Sequence, residues 1–317
     1  MRTLALIRWE LVQMARGGAP HAALTAVALL SAALVGGGIA VMSLWSPFSA
    51  STPNFPGRID PNTSSSSLLP ILGEYRGGAT LLVLMYFLTF LGCALAPALS
   101  AGPVVRDRRS GRLDRVLTDA SRADVVVLAK LLAALVPLVL IVLAAAPSLS
   151  FAWLVGGLAR SDAASCVAVV LGALVLATAI GLLCATLATT EVTALLTSYA
   201  LVTFFLIGPL LASVGLALAG LHVAANVVAS LDPLVGVTIA QPDLGAKLFH
   251  LLPADWPAPP TIWTVNSVSI PAWIGDVVVY LTLSAGLVWL AGVALEPFHP
   301  LKTWRLRRAR RPASAGA

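Results

Sequence analysis

Residues 163–188 read AASCVAVVLGALVLATAIGLLCATLA, a run without a single charged side chain. A helix needs about 20 apolar residues to cross roughly 30 Å of hydrocarbon, so this run is long enough for a membrane span. An ionised side chain at the centre of such a helix costs about 2.5–3.5 kcal/mol on insertion scales, so charges mark the ends of spans. The run therefore predicts a transmembrane helix bounded by its nearest charges.

Five further runs share this apolar character: residues 22–44, 79–105, 131–155, 192–219 and 277–295. The whole composition agrees with them. The chain is 58% hydrophobic and 11% charged, with a mean hydropathy of +0.92, whereas a soluble domain has about 25% charged residues. The sequence predicts an all-α fold class, a polytopic bundle of six transmembrane helices that forms one domain over residues 1–317.

The segment before the first span is amphipathic. Leu4, Ile7, Leu11 and Met14 are spaced by three, four and three residues, so they share one face of a helix. Arginines interrupt this segment, unlike the continuous apolar core of a cleavable signal peptide. Residues 1–20 are therefore predicted to form an interfacial helix on the membrane surface.

The region before the last span, residues 220–276, allows two interpretations. Residues 221–240 are apolar enough to suggest a seventh span, but they include His222, Asn226, Asp232 and Pro233. We interpret them as short re-entrant helices inside a larger outer loop region. A seventh span would place the C-terminal tail on the other side of the membrane.

Basic residues set the predicted orientation. With the N-terminus inside, sixteen of the 20 Lys and Arg residues lie on the cytoplasmic side, as the positive-inside rule requires. Both termini are then cytoplasmic, including the basic tail 296–317, which we expect to contact membrane lipid and no nucleic acid. The Ala-, Leu-, Val- and Arg-rich composition is typical of a GC-rich bacterial gene, so the expected location is the bacterial inner (plasma) membrane.

Chemistry-bearing residues form no recognisable site. The three cysteines and four histidines have no metal-ligand spacing, and no phosphate-cradling Gly-x-x-x-x-Gly-Lys-Ser/Thr loop occurs. No buried acid is expected within the spans, and Asp276 is interpreted as an interfacial cap at the outer end of the last span. The sequence predicts no catalytic residue, no metal site and no cofactor bound by this chain, which is not expected to be an enzyme.

The longest cytoplasmic loop, residues 106–130, reads RDRRSGRLDRVLTDASRADVVVLAK. Leu113, Val116 and Leu117 fall on one face of a short helix, and Gly111 can supply a tight turn or a close approach of two chain segments. Ser121 followed by Asp124 resembles a capping box that starts the next helix. The loop is either a charge cluster that fixes topology or an amphipathic helix that docks on a cytoplasmic partner.

This loop resembles the cytoplasmic loop of type-2 ATP-binding-cassette (ABC) exporter permeases. That family has an acidic residue, then Gly-Thr-Leu-Glu, a pair of leucines, a Ser-Arg pair and a Lys that opens the third span. The matching residues are Asp107, Gly111, Leu113, Asp114, Leu117, Ser121, Arg122 and Lys130. Arg112 stands where the family usually has Thr, residues 118–120 replace a Thr-Pro-type turn, and Asp107 and Asp114 replace glutamates.

The resemblance implies a coupling helix that rests on a separate cytoplasmic ABC ATPase subunit, which would hold ATP and Mg²⁺. It implies ATPase contacts at Asp107, Gly111, Arg112, Leu113, Asp114, Leu117, Ser121 and Arg122. Glu191, in the turn between the fourth and fifth spans, is either a second contact or a solvated turn residue. The family works with two permease sets, so a homodimer or a second permease is implied.

Two other functions stay open at this point, a secondary transporter or channel and a membrane scaffold that moves no solute. Neither the transported substrate nor its binding residues can be inferred from the sequence.

Overall fold

The computed structural model describes residues 30–31, 33, 76–111, 113, 123–154, 160–250, 262–265 and 268–295. Its elements in chain order are α1 (Arg76–Arg109), α2 (Ala123–Ala144), α3 (Ala146–Leu154), α4 (Arg160–Leu187), α5 (Glu191–Leu218), α6 (His222–Ser230), α7 (Pro233–Ile239), α8 (Pro242–His250), β1 (Ile262–Val265), β2 (Val268–Pro271) and α9 (Ala272–Leu295). The predicted interfacial helix 1–20 and the basic tail 296–317 lie outside the described residues.

Five described helical stretches are long and apolar enough to cross a membrane: Gly77–Arg109, Ala123–Leu154, Ser161–Leu187, Glu191–Leu218 and Ala272–Leu295. Each coincides with a predicted span, so the all-α membrane bundle is confirmed. The second stretch contains α2 and α3, which meet at Ala145 just before Pro147. Proline lacks a backbone N–H and disturbs the helical hydrogen bonds at such a point.

The remaining predicted span, residues 22–44, is described at only three positions. Residues 30, 31 and 33 are helical, and the hydroxyl of Ser31 is 3.2 Å from that of Ser148 in α3. This contact joins the predicted first span to the third.

Helix α4 lies at the centre of the bundle, between α1 and α9. Small residues let these helices approach closely. A Cβ on Gly181 of α4 would lie 2.0 Å from the Ser100 hydroxyl of α1, and a Cβ on Gly92 of α1 would lie 2.2 Å from Leu174 of α4. Membrane helices pack through such small-residue contacts because lipid gives no hydrophobic drive to associate.

The directions of the two long helices on either side show at which end of the bundle residues 221–240 are connected. Helix α5 begins beside the end of α1, where Arg106 and Glu191 pair, and its length of about 40 Å takes it to the opposite end of the bundle. Helix α9 returns to the first end, because a Cβ on Gly292 would lie 3.4 Å from Asp124. The chain between α5 and α9 therefore starts and finishes at the same end of the bundle.

That connecting chain contains α6 and α7, which meet at an angle of 92°. We call α6 and α7 the bent pair. It contacts α1, α4, α5 and α9, as a re-entrant element does, since backbone at membrane depth needs protein around it. The short helices predicted before the last span are thus present.

One feature of this region was not predicted. Strands β1 and β2 form an antiparallel hairpin, with Ile262 opposite Pro271 and Val265 opposite Val268. The sequence predicts only an outer loop here.

Candidate functional site

The predicted coupling loop is shorter than the sequence suggested, because α1 continues to Arg109 and α2 already begins at Ala123. A turn after α1 places Gly111 at a φ of 66°, and its amide donates a hydrogen bond to the Arg108 carbonyl. Glycine adopts this left-handed conformation without a steric penalty, as at many helix C-termini. The tight turn predicted at Gly111 is therefore present.

Leu113 lies just after this turn, and its side chain is 3% exposed. It packs in an apolar cluster with Val104 and Val105 of α1 and with Val126 and Val127 of α2. The family resemblance predicts Leu113 as an ATPase contact. In the structure its side chain packs against its own bundle and anchors the start of the loop, and the ATPase contact at this position stays a prediction.

Asp107 and Lys130 form an ion pair between α1 and α2. Their side chains are 17% and 8% exposed, so the pair is largely shielded from water. These are the acidic residue and the lysine that the family motif places at the two ends of the loop. The structure thus gives both motif positions a shared role, which is to join the helices on either side of the loop.

Arg108 makes a contact that the sequence analysis missed. Its Nη1 donates to the Ala188 carbonyl and its Nη2 to the Thr186 carbonyl, both at 2.9 Å. The last carbonyls of a helix have no partner within the helix, and a cation beside them also interacts favourably with the helix dipole. The sequence alone does not indicate which of Arg106, Arg108 and Arg109 contacts α4.

Glu191, the predicted second contact, lies in the first turn of α5. Its carboxylate is 3.8 Å from Arg106, in a pair whose side chains are 33% and 75% exposed, respectively. Thr190 caps the helix, and its hydroxyl and that of Thr193 form a capping box. The turn between α4 and α5 is therefore an ordered part of the same end of the bundle.

These contacts form one cluster, which we call the charged-end cluster and define as Arg106, Asp107, Arg108, Lys130 and Glu191. It links the ends of α1, α2, α4 and α5. The other predicted contacts, Arg112, Asp114, Leu117, Ser121 and Arg122, lie outside the described residues and stay predictions. Within the described ranges, no three His, Cys, Asp or Glu residues come together in a way that could hold a metal ion.

Two carboxylates at the opposite end of the bundle correct a further expectation. No buried acid was expected in the spans, and Asp276 was interpreted as an interfacial cap. In the structure Asp232 is fully buried and Asp276 is 3% exposed. The sequence could not show this, because it does not reveal that the bent pair folds over the end of α9.

The family model described as ABC-2 family transporter protein matches residues 11–289 of this chain. A search of the curated proteins finds no match.

Proposed function

We propose that this chain, which belongs to the ABC-2 family of transporter proteins, is the permease of an exporter whose charged-end cluster receives the motion of an ATPase subunit. The chain is thus a membrane component of an ABC transporter. The outward direction of transport, the coupling to ATP and the location in a bacterial inner membrane are parts of the proposal.

The observation that carries the proposal is the linkage of four helix ends at one end of the bundle. Arg108 ties α1 to the end of α4, and the Asp107–Lys130 pair ties α1 to α2. A force applied to the loop between α1 and α2 would therefore reach α4 as well, whereas α5 is joined to α1 by the more exposed Arg106–Glu191 pair. A charge cluster that only fixed topology would need none of these directed contacts.

In the proposed mechanism, ATP and Mg²⁺ bind to the separate ATPase subunit. Closure of a pair of such subunits pushes on the loop after Gly111, and the charged-end cluster passes the displacement to the helices as a unit. A second permease, either another copy of this chain or a related one, completes the substrate path. The helices then open the path on the outer side of the membrane.

Co-expression with ABC ATPase subunits, tested one at a time, would examine this proposal. The double variant Gly111→Pro with Asp114→Arg should abolish co-purification and the coupled ATPase activity, because proline cannot adopt a φ of 66°. The matched control is Asp243→Arg, which reverses an exposed charge at the opposite end of the bundle.

Active complexes with the wild type and the control, together with loss in a folded double variant, would support the proposal. A wild-type chain that is folded and binds none of the ATPases would contradict it. Equal binding by the double variant would mean that the charges of the loop serve only to fix the membrane topology.

A further inference from the structure

Asp276 is buried where α9 meets the bent pair. Its side chain is 3% exposed, and its Oδ2 is buried without a hydrogen-bond partner. Helix α9 begins at Ala272, so Asp276 lies beyond the first turn, whose free amides stabilise carboxylates. An ionised carboxylate is an acceptor for several hydrogen bonds. Asp276 therefore lacks the contacts that its charged form requires.

The surroundings of this oxygen are tightly packed. A Cβ on Gly236 of α7 would lie 3.2 Å from Asp276 Oδ2, 3.2 Å from a methyl group of Val169 in α4 and 3.5 Å from the Tyr280 hydroxyl. This point is also one covalent bond from the Gly236 backbone, so neither a water molecule nor a metal ion can occupy it. Helices α4, α7 and α9 thus close around the acid.

The Tyr280 hydroxyl does not supply the missing hydrogen bond. It donates to the Leu231 carbonyl at 3.2 Å, and a tyrosine hydroxyl has only one proton to donate. An ionised Asp276 therefore receives no proton from this neighbour, whereas a protonated Asp276 is itself a donor.

No cation near Asp276 offsets a negative charge in the part of the chain whose side chains are described. Helix α9 packs mainly against α2, α4, α7 and β2, and neither α7 nor β2 contains a titratable residue. Lys130 of α2 pairs with Asp107 at the opposite end of the bundle. The other titratable residues described on α9, at the start of α7, on α4 and on α2 are Tyr280, Asp232, Asp162, Cys166, Cys184 and Asp124.

Burial without a counterion favours the neutral form of an acid, because an isolated buried charge costs far more than a neutral group and takes up a proton instead. We propose that Asp276 carries a proton while the bent pair packs on α9, and that loss of this proton at alkaline pH releases the bent pair from α9. The contact would then respond to the pH at the end of the bundle opposite the charged-end cluster. It needs no partner subunit and is independent of the ATPase proposal.

The direction of the pH effect follows from the number of bound protons. An aspartate in the unfolded chain ionises above about pH 4, whereas folded Asp276 keeps its proton. The folded state then binds one proton more than the unfolded state, so a higher pH favours unfolding, by up to about tenfold per pH unit. The effect levels off once folded Asp276 also ionises.

The test measures the Tm of the purified full chain in detergent from about pH 5 to about pH 9. Asp276→Asn has a neutral side chain of nearly the same shape at every pH, so its Tm should fall less than that of the wild type as the pH rises. At the alkaline end of the range, the variant should have the higher Tm.

Two other variants show whether this response belongs to Asp276. Asp232 is also buried, but the amides of Leu234 and Val235 donate to its Oδ1 at 2.9 and 3.5 Å. Asparagine caps a helix as well as aspartate does, so Asp232→Asn should keep the pH response of the wild type. Asp243→Asn removes an exposed acid from α8 and should keep it too.

Hydrogen exchange tests the release of the bent pair directly. The wild type and Asp276→Asn are compared at the same alkaline pH, where the chemical exchange rates are equal. Amides in residues 233–240 should exchange about tenfold faster in the wild type, since local opening exposes them.

Infrared spectroscopy keeps the proposal testable if Asp276→Asn does not fold. A chain with ¹³C at its aspartate carboxyl carbons should show the carbonyl stretching band of a protonated acid at neutral pH, and Asp232→Asn should retain this band. Absence of the band would overturn the proposal. An equal fall of Tm with pH in the wild type and Asp276→Asn, or equal exchange of residues 233–240 in both, would also overturn it.

Discussion

Gly111 is one of two glycines in the described part of the chain with a positive φ. Its φ is 66°, and a Cβ at this position would meet no atom within 4 Å. Alanine would therefore be strained by its backbone alone, at a cost of about 1–2 kcal/mol. We expect Gly111→Ala to lower the Tm in detergent.

The matched control for this prediction is Gly215→Ala. Gly215 is helical and also has open space around its Cβ position, so alanine should be neutral or stabilising by up to about 1 kcal/mol. An equal loss of Tm in both variants would show that the turn at Gly111 imposes no special requirement.

The Asp107–Lys130 pair can be tested by a double-mutant cycle. Removal of one partner takes the ion pair away from a largely buried charge, and breaking a buried ion pair in this way costs about 3–5 kcal/mol. We therefore expect Asp107→Asn and Lys130→Met each to lower the unfolding free energy strongly. The double variant should lose clearly less than the sum of the two, and strict additivity would argue against the pair.

At the scale of elements, Arg108 joins α1 to the end of α4. Its two hydrogen bonds come from a charged donor, for which about 1.5–3 kcal/mol each is typical. Lysine has no planar fork and cannot reproduce both bonds. We expect Arg108→Lys to lower the Tm and the ATPase turnover per assembled complex, with the KM for ATP unchanged.

Arg109→Lys is the control, since Arg109 is the exposed neighbour in the same helical turn. Normal turnover in Arg108→Lys at full complex formation would refute a role of Arg108 in transmission, but it would leave the ATPase proposal intact.

The bent pair is held to its neighbours by tyrosine hydroxyls. Tyr86 of α1 lies 2.5 Å from the Thr238 hydroxyl, and Tyr280 of α9 donates to the Leu231 carbonyl. The double variant Tyr86→Phe with Tyr280→Phe should lose about 1 kcal/mol per bond. Hydrogen exchange in residues 231–241 should therefore become faster.

Tyr199→Phe serves as the comparison, because this tyrosine is 39% exposed on α5. Unchanged exchange in the double variant would mean that apolar packing alone holds the bent pair.

At the scale of the whole molecule, the fold places the loop after α1 and the end of α9 on the same side. A background without Cys93, Cys166 and Cys184, which are all buried, allows single-cysteine labelling. A membrane-impermeant maleimide should react with Ser110→Cys only from the cytoplasmic side. Asp243→Cys should react only from the outer side.

Ser314→Cys, in the tail beyond the described residues, should follow Ser110→Cys. Labelling of the tail from the outer side would mean that the chain between α5 and the tail crosses the membrane once more than proposed.

The sequence by itself determined the number and positions of the described spans, because these depend only on the length of apolar runs along the chain. Apolar length predicted the described spans because the hydrocarbon thickness fixes how long a span must be. The motif of residues 106–130 indicated the family, and Gly111 was identified because only one residue type adopts its backbone conformation easily.

The tertiary structure alone decided the pairings between distant segments. Arg108 on the carbonyls of Thr186 and Ala188, the burial of Leu113, and the meeting of Asp276 with Gly236 all join residues far apart in the chain. Such contacts depend on how helices pack, and packing is set by the shapes of facing surfaces rather than by hydropathy along one segment. The charged-end cluster and the buried acids could therefore be found only in the folded molecule.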